Sequence, residues 1–403
     1  MGRGEHFGAM VLGLVVGLGL LGAVSGVTAC SGRPPEELRA RNCVLIEEGY
    51  GPTGRTPIHA EPVVTGLIVP WAMAFLPGGD WLVTERPGRV RLVRDGDLVV
   101  EPVTTLSVSD KAEAGLLGIA LSPAFEKDSL FYVYATSADA SPVNRVLRYR
   151  LSEDHRSAAF DRIILDGIPA AQYHDGGRIQ FGPDGMLYVS TGDARDPAKA
   201  QVPGSLSGKL LRLTPEGGIP EDNPLGPKSP VYLSGLRNCQ GFAFIDERFI
   251  AVMDHGPTGD LGLQGLDEVN VAVSGLNLGW PKIHGCEAGE GMLPPALTWV
   301  EAVPPAGVAM YRSDRIPGWS GSLLIGTLRS MHLHRVVPTP WDPRKVMLHE
   351  VYLPGEPPTG LGRLREVAVG RDAHLYVTTS NCDGRGHCPP EKDGIYRITS
   401  PAL

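Results

Sequence analysis

His174 opens the run His174-Asp175-Gly176-Gly177-Arg178, and an apolar segment downstream ends in Thr191-Gly192-Asp193. An imidazole can take up a proton near neutral pH, and a carboxylate one strand away can hold one ring nitrogen so that the other is free to act. Paired glycines let a backbone come close to a flat ligand. A surface turn before a strand accounts for the same residues. A second run, Gly235-Leu236-Arg237-Asn238-Cys239-Gln240-Gly241, sets a fixed cation and two amides between glycines. That chemistry binds carbonyls or stabilises developing negative charge, though a solvated arginine in a loop is the plainer reading. A third, Asp254-His255-Gly256-Pro257, followed by Asp267 and Glu268, is rich in hard oxygen donors of the kind calcium takes, or is an ordinary turn. The last set is cationic. Arg329 stands alone, whereas Arg363 and Arg365 alternate and would share one strand face, where they suit a ligand with several carboxylates or pair with cross-strand acids.

Residues so far apart need a scaffold that gathers loops. Short runs repeat one pattern of turn then strand, beginning at Phe75, Leu121, Phe181, Phe242, Gly321 and Val369 and often followed by an arginine-bearing partner strand. Six units at irregular spacing predict an all-β six-bladed β-propeller, whose loops converge on one axial pocket. A two-sheet sandwich is the alternative, but repetition favours radial packing. No amphipathic run is long enough for a major helix.

Of 403 residues, 52 are Gly and 36 Pro while only 20% are charged, which describes a loop-rich globular chain. The net charge of -8 disfavours a nonspecific nucleic-acid binder. Residues 1–29 read as a lipoprotein signal peptide, with Arg3 ahead of an apolar, glycine-rich stretch. Val27-Thr28-Ala29-Cys30 resembles a bacterial lipobox, which would leave Cys30 lipidated, export the chain and tether it to the cell envelope. Residues 30–62 then read as a flexible spacer and 63–403 as the propeller. Cys382 and Cys388 are the preferred disulfide; Cys239 could pair with Cys286 and leave Cys43 free. Gly204-Ser-Leu-Ser-Gly-Lys209 is one residue short of a phosphate loop and reads as a turn into a strand. No Gly-x-Ser-x-Gly or His-Glu-x-x-His occurs.

Taken in order, these runs resemble the soluble quinoprotein sugar dehydrogenases, the glucose/sorbosone or aldose sugar dehydrogenase family that uses pyrroloquinoline quinone (PQQ). The resemblance runs from Val69-Pro70-Trp71-Ala72 and Thr84-Glu85-Arg86 through the His174 and Gly235 runs to Asn277-Leu278-Gly279-Trp280-Pro281 and Thr379-Ser380-Asn381-Cys382-Asp383-Gly384-Arg385. It implies a six-bladed propeller with PQQ and calcium in the axial pocket, oxidising an aldose at its anomeric carbon to the lactone. His174 would then be the general base, supported by Asp193. Arg237 and Asn238 would meet the quinone oxygens, Gln240 would line the site, and Arg329, Arg363 and Arg365 would clamp the PQQ carboxylates. The carbonyls of Gly256 and Pro257 would hold calcium, and electrons would pass to an external quinone or cytochrome. Glu113 stands where some members place a glutamine near substrate, and Leu236 and Cys239 replace a histidine and a proline, which bears on substrate identity. A non-catalytic ligand-binding propeller and a calcium-dependent lactonase are the rival readings; the first would lack the base and the clamp, the second the clamp.

Overall fold

The computed structural model describes Met1 and residues 42–401; the expected signal peptide and Cys30 lie outside the described residues. Six antiparallel sheets form the six blades of a propeller. Blade 1 holds Pro70–Phe75, Trp81–Glu85 and Arg89–Arg94, with Asp97–Leu98 and Thr104–Thr105 sharing its outer position. Blade 2 runs from Leu116–Leu121 outward to Ala158–Pro169, blade 3 from Ile179–Phe181 to Val231–Ser234, and blade 4 from Cys239–Phe244 to Leu297–Trp299. Blade 5 runs from Pro305–Tyr311 to Asp342–Tyr352. The chain then closes the ring with its two ends: Leu364–Val369, Leu375–Thr379 and Asp393–Thr399 make the inner part of blade 6, and the early strand His59–Leu67 is its outer edge.

Central strands are sandwiched between neighbouring blades, so they read as unbroken apolar runs: Leu130–Thr136 and Ser322–Thr327 are buried at every position. Outer strands face solvent, and Ala158–Pro169 accordingly alternates irregularly between exposed and covered residues. The innermost strands of blades 4, 5, 6, 1, 2 and 3 touch in succession, and blade 3 meets blade 4 through its second strand, Leu187–Ser190. The repeated turns seen in sequence mostly join a first strand to its second, as at Leu76 to Asp80 between Phe75 and Trp81. Among the described residues the only α-helix is Phe125–Asp128, and none is long and apolar enough to cross a membrane.

Two expectations need correction. The segment read as a spacer is docked from residue 42 onward: Val44–Ile46 pairs in parallel with Leu297–Trp299, Thr53 bridges Val351, and His59 begins the outer strand of blade 6. The disulfide Cys43–Cys286 secures that strap, and Cys239 is the free cysteine. Cys239 begins the inner strand of blade 4 with no exposure, its Sγ directed to the Gly241 carbonyl, so it has no route to Cys286. The second bond joins Cys382 to Cys388. Lys209 enters the blade 3 strand Lys209–Leu213 buried, with Nζ donating to the carbonyls of Lys199, Ala200 and Ser207 at 2.8 to 2.9 Å. The near miss to a phosphate loop is therefore a lysine-stapled turn.

Candidate functional site

In an antiparallel blade the start of the first strand and the end of the second lie at the same end. That geometry decides where chemistry collects. Asn238 immediately precedes an inner strand and Arg363 lies just ahead of another; Asp193, His255, Arg329, Asp383 and Arg385 follow second strands. A cavity of about 490 Å³ at this end of the ring is lined by Glu113, His174, Arg237, Asn238, Gly256 and Arg363, among others. The volume falls within the roughly 300–1,000 Å³ common for small-molecule sites.

His174 is 4% exposed and takes a φ of 68°, left-handed backbone that costs a non-glycine residue roughly 1–3 kcal/mol. Its N–H is held by Glu113 Oε2 at 3.1 Å. Its Nδ1 lies 2.7 Å from Asp193 Oδ1, which orients the ring and leaves Nε2 as the nitrogen free to act. Asp193 is fully buried and is itself fixed by the Arg195 N–H on Oδ1 and Trp280 Nε1 on Oδ2, both at 2.8 Å. The tryptophan was not picked out as a site residue from sequence, although the run containing it was.

The glycines do a different job from the one expected. A Cβ on Gly176 would lie 2.6 Å from the Thr191 backbone, and one on Gly192 would lie 1.9 Å from the His174 carbonyl oxygen. Their absence lets the His174 segment lie directly on the Asp193 segment, which sets the base against its acid rather than admitting a ligand.

Arg237 and Asn238 are oriented from below. Asp254, at the end of a blade 4 strand, accepts the Arg237 N–H at 2.8 Å and the Asn238 N–H at 2.7 Å. The Asn238 amide is spent within the protein: Oδ1 accepts from Gly176 N, and Nδ2 donates to Glu113 Oε2 at 3.0 Å and faces His255 Nδ1 at 3.4 Å. Burial pushes the His255 imidazole down to about 3, so it is neutral, with Nε2 donating to the Pro305 carbonyl at 3.0 Å. Burial works to raise the Glu113 carboxyl, but His255 where it is protonated, and Arg385 and the His174 N–H throughout, outweigh it and hold it at about 2. Glu113 thus ties His174, Asn238 and Arg385 together, although it also lines the cavity as the sequence suggested.

The Arg237 guanidinium meets Asp260 through Nε at 2.8 Å and Nη2 at 2.5 Å. The other Asp260 oxygen takes Arg195 Nη1 at 3.1 Å, and Oδ2 stands 3.9 Å from His174 Nε2. Nothing in the sequence pattern pointed to this acid. Asp383 is equally unforeseen: buried, it takes Nε and Nη2 of Arg363 at 3.0 and 2.8 Å and lies 3.6 Å from Arg365 Nη2. Arg363 lines the cavity and Arg329 is exposed at its wall. Arg365 and Gln240 do not line it. They bond to each other at 2.6 Å beneath its floor, where burial pulls the Arg365 guanidinium down to about 9. Gly256 lines the cavity but Pro257 does not; their carbonyls accept the N–H groups of Thr258 and Asp260 at 2.8 and 2.9 Å. Asp267 spends both oxygens on the N–H groups of Gly256 and Val303. Among the described residues no group of three or more His, Cys, Asp or Glu side chains is arranged to hold a metal ion.

A larger cavity of about 690 Å³ is lined by Phe75, Phe181, Phe244 and other residues of the far ends of the inner strands. Arg178, ion-paired with Glu366 and lying over the Trp71 ring, is part of its wall. Apart from Arg178 and Glu366 its titratable lining is Asp246, Glu247 and Arg312, with no base oriented by an acid.

The profile of the Glucose / Sorbosone dehydrogenase family matches residues 67–394. The chain belongs to that family. Aldose sugar dehydrogenase YliI of Escherichia coli is 30% identical over 352 residues, covering 81% of this chain and 91% of its own. The PQQ-bound aldose sugar dehydrogenase of Streptomyces coelicolor superposes with a TM-score of 0.75 at 35% identity, covering 87% of this chain and 99% of that one. The apo form of the soluble aldose sugar dehydrogenase from Escherichia coli gives 0.73 at 27% identity, covering 85% and 99%. As a member of this family the chain is of the sugar dehydrogenase, oxidoreductase type.

Proposed function

We propose that this protein is a PQQ-dependent aldose dehydrogenase that oxidises the anomeric carbon of a sugar to the lactone. The observation that carries the reading is the His174–Asp193 pair at the wall of a cavity lined by arginines. PQQ, when bound, supplies the two-electron acceptor for the hydride that leaves the anomeric carbon. His174 Nε2 takes the proton of the anomeric hydroxyl, and Asp193 stabilises the resulting imidazolium. Arg237 would stabilise negative charge that builds on the acceptor, once Asp260 yields its fork. Arg363 and Arg329, which line the cavity, would hold the cofactor's carboxylates, with Asp383 aligning Arg363; Arg365 lies beneath the floor on Gln240 and would act only through its charge.

Arg329 and Arg363 in the cavity lining support a site for a polyanionic group, whereas the Arg237 fork is taken by Asp260, which an incoming oxygen would have to displace. The Gly256 and Pro257 carbonyls do not fit calcium as placed, since Pro257 lies outside the cavity and both already accept N–H groups, so no step is assigned to that ion. The reading also includes export and lipidation at Cys30, with electrons passed to an external quinone or cytochrome. Two disulfides among the described residues support an oxidising compartment. Loss of labelled lipid in Cys30→Ala tests the anchor.

The decisive experiment adds PQQ and calcium to purified protein and follows dye reduction with a panel of aldoses. Retained quinone absorbance and sugar-dependent reduction are expected. No bound quinone together with no reduction by any sugar overturns the proposal.

A further inference from the structure

At the cavity mouth, the Cys382–Cys388 bond closes a short loop that carries Arg385. Asp383 Oδ1 accepts the Arg385 N–H at 2.9 Å while its Oδ2 holds Arg363. A Cβ on Gly386 would lie 2.6 Å from Arg363 Cδ, so loop and arginine are packed together. The Arg385 guanidinium is presented from a braced support. It lies 5.3 Å over the Tyr173 ring, and Nη1 donates to Glu113 Oε1 at 3.0 Å. Its side chain is 49% exposed, and this is its only side-chain hydrogen bond among the described residues. Glu113 cannot turn to meet a ligand, because its other oxygen holds the His174 N–H and the Asn238 amide. Arg195, half-exposed, lines the same cavity.

Arg195, Arg237, Arg329, Arg363 and Arg385 line the cavity with Glu113 and Asp267, while Asp260 pairs with Arg237 and Arg195 and Asp383 with Arg363, which leaves the cations in slight excess in a chain whose net charge is -8. A tricarboxylate cofactor held by Arg329 and Arg363 would leave Arg195 and Arg385 uncommitted to it. A cationic mouth on an acidic protein draws anions and disfavours cations.

We infer that the preferred substrate is an aldose carrying an anionic group, and that Arg385 is the residue that binds that group. The inference rests on the aldose dehydrogenase reading and gives it a substrate class. Carboxylate and phosphate share the chemistry, so D-glucuronate, glucose 6-phosphate and glucose are compared. Two readouts are used: calorimetric binding to the protein without cofactor, and kcat/KM of the PQQ- and calcium-loaded protein at low and high salt. The wild type should favour an anionic sugar in both, less so in high salt. Arg385→Gln should reduce that preference about tenfold or more, mainly through KM, as loss of a charge-assisted hydrogen bond does. Arg385→Lys should restore part of it. Loaded protein that oxidises glucose as well as either anionic sugar overturns the inference and leaves the dehydrogenase reading standing, as does an Arg385→Gln variant with an unchanged preference. If no quinone is retained, the dehydrogenase reading fails by itself, and calorimetry still decides whether the mouth binds an anionic sugar.

Discussion

Asp260 Oδ2 stands 3.9 Å from His174 Nε2, and the chemistry of the two residues makes opposite predictions. His174→Gln keeps a polar side chain against Asp193 but offers no basic nitrogen, so kcat should fall by about 10² to 10⁴ while quinone absorbance is retained. Turnover near wild type with cofactor bound would show that the proton goes elsewhere. Asp260 competes with any incoming oxygen for the Arg237 fork. Asp260→Asn should therefore tighten PQQ binding, by roughly tenfold for one charge-assisted hydrogen bond, read as Kd in a quinone absorbance titration. Weaker binding would mean that Asp260 helps to hold the cofactor. His174 and Arg237 were legible in sequence because their neighbours are glycines, amides and acids at short spacing. Asp260, Asp383 and Trp280 were not, since each reaches its partner only once the blade hairpins have folded, across 23, 20 and 87 positions.

The six turn-and-strand units were readable because a blade's inner hairpin is local: residues Phe75 and Trp81 pair across a short turn. The outer edges were not, because their partners are remote in the chain. His59–Leu67 pairs with Asp393–Thr399, and residues 43 to 54 lie on blades 4 and 5. The strap has little core of its own. A Cβ on Gly51 would lie 2.4 Å from His349 Cε1, and one on Gly54 1.9 Å from Tyr352 Cζ, so it fits only as bare backbone against aromatic rings. Its bond to Cys286 spans 243 positions, and losing such a bond costs roughly 2–5 kcal/mol. Cys43→Ser should lower the midpoint of chemical denaturation and increase hydrogen exchange in residues 44–54. Unchanged exchange there would mean that strand pairing alone holds the strap.

Buried acids link the whole molecule to pH. Burial raises the carboxyls of Asp175 and Asp254 to about 7 and that of Glu268 to about 8. One Asp175 oxygen has no hydrogen-bond partner, as suits a protonated acid, and Asp254 and Glu268 are cross-strand neighbours that each disfavour the other's charge. In the unfolded chain these groups titrate near 4. Their contribution is full below that pH and is lost as pH rises through 7 to 8, because the folded state binds the extra protons. Glu113 acts in the opposite sense, its contribution being present above about 4.5 and lost toward 2. Buried His255, His349 and His334, held neutral, also act in the opposite sense up to about 6.5, so the melting temperature of the cofactor-free protein should fall above that, between about pH 6.5 and 8. A steady rise over that interval would mean that the three acids are ionised in the folded protein.

The Cys43–Cys286 bond also gives the protein a mechanical axis. A pull on the chain ahead of Cys43 passes through a covalent link into blade 4 and never reaches the hydrogen bonds of His59–Leu67 that close the ring. Shear on the N-terminal side is thus borne by one blade as a rigid body. The seam between the first and last parts of the propeller stays unloaded for as long as that sulfur bridge is oxidised.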